Sequence, residues 1–180
     1  GNVERAIRRL ERAVQLDPQS AASYAGLAEA YYYKSRSNPD PQWLKLGSDY
    51  ARRANSIDPY LATGHVSLGL MQMQSGDSAG ALAEFNRALD LDPKSASAHM
   101  WLATLYGRTG KKAESNQELE RAIALDGNDW RIYLNLGVNA YSAANYEQAV
   151  TWWEKARKLE PDSSAVLQNL SAAYHLLGRD

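Results

Sequence analysis

Two histidines occupy equivalent places in the sequence and could in principle bind a metal ion. His65 and His99 are 34 residues apart, and imidazole is a common ligand of zinc and copper. The chain has no cysteine, and no carboxylate stands at ligand spacing from either histidine. Packing of the two rings against neighbouring helices is therefore favoured over a metal site. We expect neither a metal ion nor another cofactor.

A glycine- and lysine-containing stretch, residues 107–112, has some likeness to a phosphate-binding loop. Its spacing departs from the GxxxxGK[ST] pattern, and no strand pattern precedes it, so it is better explained as a turn between helices. No spacing in the chain singles out a serine, a histidine and an aspartate as a nucleophile, base and acid. We therefore expect that the protein is not an enzyme.

The charge of the chain gives no reason to expect binding to nucleic acid or to an anionic membrane. The 180 residues contain 20 Lys and Arg against 21 Asp and Glu, for a formal net charge of −1. The first helical stretch carries a basic stripe, best explained as a solvated helix face, that consists of Arg5, Arg8, Arg9 and Arg12. No apolar run approaches the roughly 18 residues that cross a bilayer, and no secretion signal is present. These features predict a cytoplasmic protein without membrane insertion.

A period of 34 residues organises the chain. A Leu-Asp-Pro signature recurs, with variations, at residues 16–18, 57–59, 91–93, 125–127 and 159–161. The intervals are 41, 34, 34 and 34 residues, so the first contains an insert of seven. Between the signatures, apolar residues lie three or four apart, as on one face of a helix, and a turn signal divides each interval. Each period is therefore predicted to form two helices joined by a turn.

This pattern resembles the tetratricopeptide repeat (TPR) family, whose unit is a 34-residue helix–turn–helix. One of the two fullest matches contains Leu68-Gly69, Ala81, Phe85, Ala88 and Pro93. The other contains Tyr133, Leu136-Gly137, Ala149, Trp153, Ala156 and Pro161. Departures from the family pattern, which suggest a diverged natural array, are Gln72, Ser115, Gly127 and Ala140. The resemblance implies an all-α fold, a right-handed superhelical solenoid of stacked TPR repeats.

The whole chain is predicted to be one array. Its four full repeats are residues 21–61, 62–95, 96–129 and 130–163, preceded by a single second-type helix at 1–20 and followed by a single first-type helix at 164–180. Solenoid ends usually carry polar caps, and neither end of this chain has one. We therefore expect it to be a piece of a longer protein.

In the family that the chain resembles, the first helix of each repeat lines the concave side, where ligands usually bind. Transferred slot by slot, the candidate partner-binding groove comprises Tyr32, Tyr33, Val66, Leu70, Met73, Gln74, Met100, Trp101, Thr104, Arg108, Arg131, Leu134, Asn135, Val138, Tyr141, Gln168 and Asn169. Its middle is apolar, and a monomer seldom exposes such a patch without a use. Trp101 is the most prominent member, because asparagine fills the same slot in the next two helices of this type. The alternative is that edge residues such as Val66, Met100 and Leu134 pack between adjacent first helices.

The predicted function is that of a non-catalytic protein–protein interaction scaffold, which binds a peptide or a helical segment with apolar anchors in this groove. A carboxylate clamp, which one TPR subset uses to bind chaperone C-termini, is not expected, because Ala25 and Glu29 replace its lysine and asparagine. Two alternatives stay open. One is head-to-tail self-association through the chain ends, and the other is a regulatory or spacer segment of a larger bacterial signalling protein.

The insert, Ser35 to Pro41, is expected to lengthen the turn inside the first full repeat. Asp40-Pro41 is a favourable start for the helix that follows, because aspartate caps helices and proline fits their first turn. The insert is either a neutral surface loop or a lip that narrows one end of the groove beside Tyr31–Tyr33. The sequence does not separate these two interpretations.

Overall fold

The computed structural model describes residues 2–179, so Gly1 and Asp180, the outermost residues of the two predicted single helices, lie outside it. Residues 2–179 form helices and connecting turns, without any strand. The ten helices in this range are α1 (Asn2–Leu16), α2 (Ala21–Ser37), α3 (Pro41–Ile57), α4 (Ala62–Ser75), α5 (Ser78–Leu91), α6 (Ala96–Arg108), α7 (Lys112–Leu125), α8 (Trp130–Ser142), α9 (Tyr146–Leu159) and α10 (Ser164–Leu176). The predicted all-α class of helix–turn–helix repeats is confirmed, whereas the boundaries between repeats stay predictions. None of these helices combines the length and the apolar character needed to span a membrane.

The chain divides into two compact units. Unit 1 is Gly1–Trp101 and unit 2 is Leu102–Asp180. Unit 1 contains α1 to α5 and the beginning of α6, and unit 2 contains the end of α6 and α7 to α10.

Capping side chains mark several helix starts. Ser20 accepts a hydrogen bond from a backbone N–H of the first turn of α2 at 3.3 Å, and Asp40 and Asp129 do the same for α3 and α8 at 2.9 Å each. Pro41 fills the first position of α3, where the missing N–H is not needed. These caps satisfy N–H groups that have no partner inside the helix. The start that the sequence predicted for α3 is confirmed.

The seven-residue insert does not form the long turn that the sequence predicted. Instead, α2 and α3 have 17 residues each, whereas α4 and α5 have 14 each. Residues 35–37 continue α2, because nothing in them breaks a helix. The break comes at Asn38, since a residue that precedes proline disfavours the helical conformation. Only residues 38–40 separate the two helices.

Glycines in the first helices allow close contact with a large ring of the second helix. In unit 1, a Cβ atom at Gly69 would lie 2.7 Å from the ring of Phe85, which is fully buried. In unit 2, a Cβ atom at Gly137 would lie 2.1 Å from Nε1 of Trp153. The Trp153 indole N–H donates to the carbonyl of Leu134 at 3.0 Å, which holds the ring against α8. The core of unit 2 is built around this indole.

Candidate functional site

In unit 1, most side chains that were predicted to line the groove are buried against one another or against neighbouring helices. Six of its eight predicted groove residues are buried: Tyr32, Val66, Leu70, Met73, Met100 and Trp101. Trp101 is only 3% exposed. The expectation that an exposed indole stands at the centre of an apolar groove is therefore wrong. The burial of Val66 and Met100 agrees with the packing alternative, although their neighbours stay a prediction.

An aromatic cluster of Tyr32, Tyr33 and Trp101 explains this burial. The rings of Tyr32 and Trp101 meet edge to face, with centroids 5.3 Å apart and an interplanar angle of 84°. The ring of Tyr33 lies 6.4 Å from the indole and 5.4 Å from the ring of Tyr32. Edge-to-face contact is a favoured arrangement of aromatic pairs. The indole is large enough to reach from α6 to α2, so it closes a face that asparagine in this slot would leave open.

The other two predicted groove residues of unit 1, Tyr33 and Gln74, are half-buried. Gln74 borders a cavity of about 230 Å³ together with Ser35, Pro39 and Asp40. The insert thus lies beside one end of the predicted groove. Its role as a lip stays a prediction.

In unit 2, the same face is accessible. Three of its nine predicted groove residues are exposed: Arg108, Val138 and Gln168. The other six are half-buried: Thr104, Arg131, Leu134, Asn135, Tyr141 and Asn169. Tyr141 packs on the core, with its ring centroid 5.6 Å from that of Trp153.

Four of these residues meet around one cavity, and we call Thr104, Arg108, Asn135 and Val138 the open face. The cavity, here named the polar cavity, has a volume of about 180 Å³. The amide nitrogen of Asn135 donates to Oγ1 of Thr104 at 3.1 Å, which ties α8 to α6. The cavity is also lined by residues outside the predicted groove: Ala103, Gly107, Lys112, Ser115, Asn139 and Ser142.

A buried hydrogen-bond network forms the floor of the polar cavity. Ser115 Oγ donates its proton to the carbonyl of Ala103 at 2.8 Å and accepts from Nδ2 of Asn139 at 2.9 Å. The second proton of that amide goes to Oδ1 of Asn116 at 2.8 Å. Because the serine proton is already used, the amide nitrogen must face Ser115, and this fixes the orientation of the Asn139 side chain.

The charge around the polar cavity is positive. Arg108 has no ion pair among residues 2–179, and Nζ of Lys112 donates to the carbonyl of Ser142 at 2.9 Å. No carboxylate lines the cavity. Arg131, which the sequence placed beside the groove, is instead paired with Asp129 at 2.6 Å, so its charge is compensated locally.

Sequence reasoning missed Asn139 and Lys112 as cavity residues. Residues 34 positions apart from Asn139 in the neighbouring repeats are Leu105 and Ala173, both apolar and buried. The sequence did contain a signal for this site, since Asn139 stands in an apolar slot and Ser115 stands in an alanine slot. Lys112 gave none, because a lysine at the start of a helix is unremarkable in sequence.

The two histidines have structural partners. Each ring donates from Nε2 to the proline carbonyl six residues upstream, at 3.0 Å for His65 and 3.2 Å for His99. Nδ1 of His65 also lies 2.7 Å from a carboxylate oxygen of Glu84, a neighbour that the local spacing did not indicate. These contacts tie first helices to the loops before them. In the described part of the chain, no three His, Cys, Asp or Glu side chains group in a way that could hold a metal ion.

Solved structures with the same fold come from several organisms. TTC0263 of Thermus thermophilus is 18% identical, with a TM-score of 0.79 over 97% of this chain and 92% of that one. The human IFIT1 dimer with m7Gppp-AAAA is 20% identical, with a TM-score of 0.84 over 99% of this chain and 43% of that one. The first TPR of Spaghetti (RPAP3), bound to the HSP90 peptide SRMEEVD, is 21% identical, with a TM-score of 0.62 over 67% of this chain and 96% of that one. At such identities, the likeness shows the fold alone.

Family models cover most of the sequence. The model of the cytochrome c-type biogenesis protein H TPR domain matches residues 52–166, and a tetratricopeptide repeat model matches residues 1–37. No curated protein sequence matches the chain. The repeat period, the ten helices of residues 2–179 and these two matches agree, and the chain belongs to the tetratricopeptide repeat family.

Proposed function

We propose that the chain is a non-catalytic scaffold that binds a peptide or helical segment of a partner protein on the open face of unit 2. The observation that carries this proposal is the accessible polar cavity between α6 and α8, at positions whose counterparts in unit 1 are closed by Trp101. Family membership supports it, since a TPR domain of the same fold is known bound to a peptide.

The open face combines one apolar contact with several polar ones. Val138 is 42% exposed and can pack against an apolar anchor of the partner. Asn135, Thr104 and Arg108 line the same cavity and make its surroundings polar. A segment that binds here would therefore combine an apolar side chain with polar groups, rather than fill a purely apolar groove.

Selection from an unbiased phage-displayed peptide library tests the proposal. The library is selected on the wild-type chain, and enriched peptides are then titrated against Val138→Gln, which removes the apolar contact without adding charge, and against a matched control, Leu125→Gln. Leu125 is similarly exposed, at 40%, but lies at the end of α7. We expect binding to weaken about 10-fold for Val138→Gln, about 1.4 kcal/mol, and to be unchanged for Leu125→Gln. Failure to enrich any peptide, or equal binding to all three proteins, would contradict the proposal.

Self-association is the second candidate, and a specific observation favours it. Leu167 and Leu176 on α10 are 44% and 50% exposed, so each is available for an apolar contact with a second copy. Light scattering over a concentration series tests it, because a mass that rises with concentration indicates association and a constant mass contradicts it. A regulatory role within a larger signalling protein and a cytoplasmic location stay predictions.

A further inference from the structure

The polar cavity contains a hydrogen-bond acceptor that no described residue uses. Both amide protons of Asn139 are donated, to Ser115 and Asn116. Its Oδ1 points towards Gly107, where it would lie 3.3 Å from a Cβ atom, and it accepts no hydrogen bond from residues 2–179. Asn139 is only 8% exposed. Oδ1 itself is not among the enclosed side-chain atoms that lack a partner, so an N–H group of a ligand in the cavity can reach it and replace its contact with solvent.

Two cations stand at the same cavity without a carboxylate among its lining residues. Arg108 is the last residue of α6, and Lys112, four positions later, is the first residue of α7. Lys112 uses one of its protons on the carbonyl of Ser142, and the others are available. Charge complementarity thus favours an anionic group, because hydrogen bonds between cations and a carboxylate are about twice as strong as neutral ones.

A ligand that satisfies the cavity must carry a carboxylate with an N–H group close to it. An acidic residue within a peptide meets both requirements, since a backbone N–H lies near its side-chain carboxylate. Free inorganic phosphate as the dianion has no N–H group and would face the oxygen of Asn139 without a donor for it. We propose that the polar cavity binds an aspartate or glutamate side chain of the partner segment, with the carboxylate on Arg108 and Lys112 and an adjacent backbone N–H on Oδ1 of Asn139.

This inference rests on the proposed function and names the anchor that the open face recognises. It also differs from the carboxylate clamp that the sequence lacks. That clamp uses first-helix slots occupied here by Ala25 and Glu29. In the polar cavity, the cations come instead from the end of α6 and the start of α7, and the amide comes from α8.

The test uses the peptides enriched on the wild-type chain. Each is resynthesised with its acidic residue changed to the amide, Asp to Asn or Glu to Gln, and separately with its C-terminus amidated, and all are titrated calorimetrically. We expect the side-chain amide to bind about 10-fold more weakly than the acid, and C-terminal amidation to change the affinity less than about twofold. Equal affinity of acid and amide, peptides without an enriched acidic residue, or a loss caused by C-terminal amidation would each overturn the inference.

Variants of the protein locate the anchor. Arg108→Gln should reduce the preference for acid over amide to about threefold or less, whereas the matched control Arg87→Gln, at an exposed position of α5, should leave it intact. Gly107→Ala keeps both cations and favours the helix, but its Cβ atom covers Oδ1 of Asn139, so binding should weaken about 5-fold. An acid preference that survives Arg108→Gln together with unchanged binding to Gly107→Ala would overturn the inference.

The two proposals fail in distinguishable ways. Peptides that need Val138 but show no preference for an acidic residue would overturn the anchor and leave the proposed scaffold function standing. Peptides that bind equally well to Val138→Gln would contradict the scaffold function on this face, and the anchor with it.

Discussion

Replacement of Trp101 by alanine should destabilise the protein strongly. The indole is 3% exposed and Tyr32, its edge-to-face partner, is 1% exposed. Truncation of a buried tryptophan to alanine costs about 3–5 kcal/mol, from lost burial and from the cavity left behind. About 0.5–1.5 kcal/mol of this corresponds to the aromatic pair. We therefore expect the free energy of unfolding to fall by about 3–5 kcal/mol.

Urea denaturation followed by circular dichroism measures this change. With a slope of about 2 kcal/mol per molar urea, the midpoint should fall by about 2 M. Tyr60→Ala is the control, because Tyr60 is 73% exposed and its truncation should change stability by less than about 0.5 kcal/mol. If Trp101→Ala behaved like Tyr60→Ala, the indole would not be packed against α2, and the conclusion that unit 1 has a closed face would be refuted.

Three further predictions concern single groups. Gly137→Ala places a Cβ atom 2.1 Å from Nε1 of Trp153. Although alanine has the better helix propensity, this clash should lower the free energy of unfolding by about 1–3 kcal/mol. An unchanged thermal midpoint would contradict this prediction. Ser115→Ala removes the hydroxyl that links a carbonyl of α6 to the buried Asn139 amide of α8. The free energy of unfolding, measured by urea denaturation, should fall by about 1–3 kcal/mol. An unchanged value would show that the network adds no stability. Burial, and then the nearby Glu11 carboxylate, raises the pKa of Tyr31 to about 12 from 10.0. The stability that neutral Tyr31 contributes is therefore present below about pH 10 and is lost as the pH rises from 10 towards 12. In an absorbance titration, Tyr31→Phe should lack the tyrosine that ionises near pH 12. Loss of a tyrosine that ionises near pH 10 would contradict the assignment.

The fold could be predicted because the same helix–turn–helix pattern recurs in every repeat. The Ser20 and Asp40 caps depend on residues that are close in sequence. The pairing of Gly137 with Trp153 follows from the repeat period. The insert was misjudged for a local reason as well. Its first residues favour helix as readily as turn, and only the proline after Asn38 decides where α2 ends.

The state of the groove could not be predicted, because it depends on contacts between distant side chains. Trp101 occupies the same slot as Asn135, so the period assigns both to one face. Whether that face is open depends on whether the side chain reaches another ring, and Tyr32 lies 69 positions earlier in the sequence. The polar cavity escaped prediction for a related reason, because the period places Asn139 among core positions and gives no information on which of its atoms keeps a free lone pair.

The central claim is that partners bind unit 2 on its open face, and chemical-shift mapping tests it most directly. The ¹⁵N-labelled chain is titrated with a peptide enriched by selection, and the perturbed backbone amides are assigned. We predict that the largest shifts fall in residues 104–108 and 135–142. Shifts concentrated around Tyr32 and Met73, with residues 135–142 unperturbed, would contradict the claim.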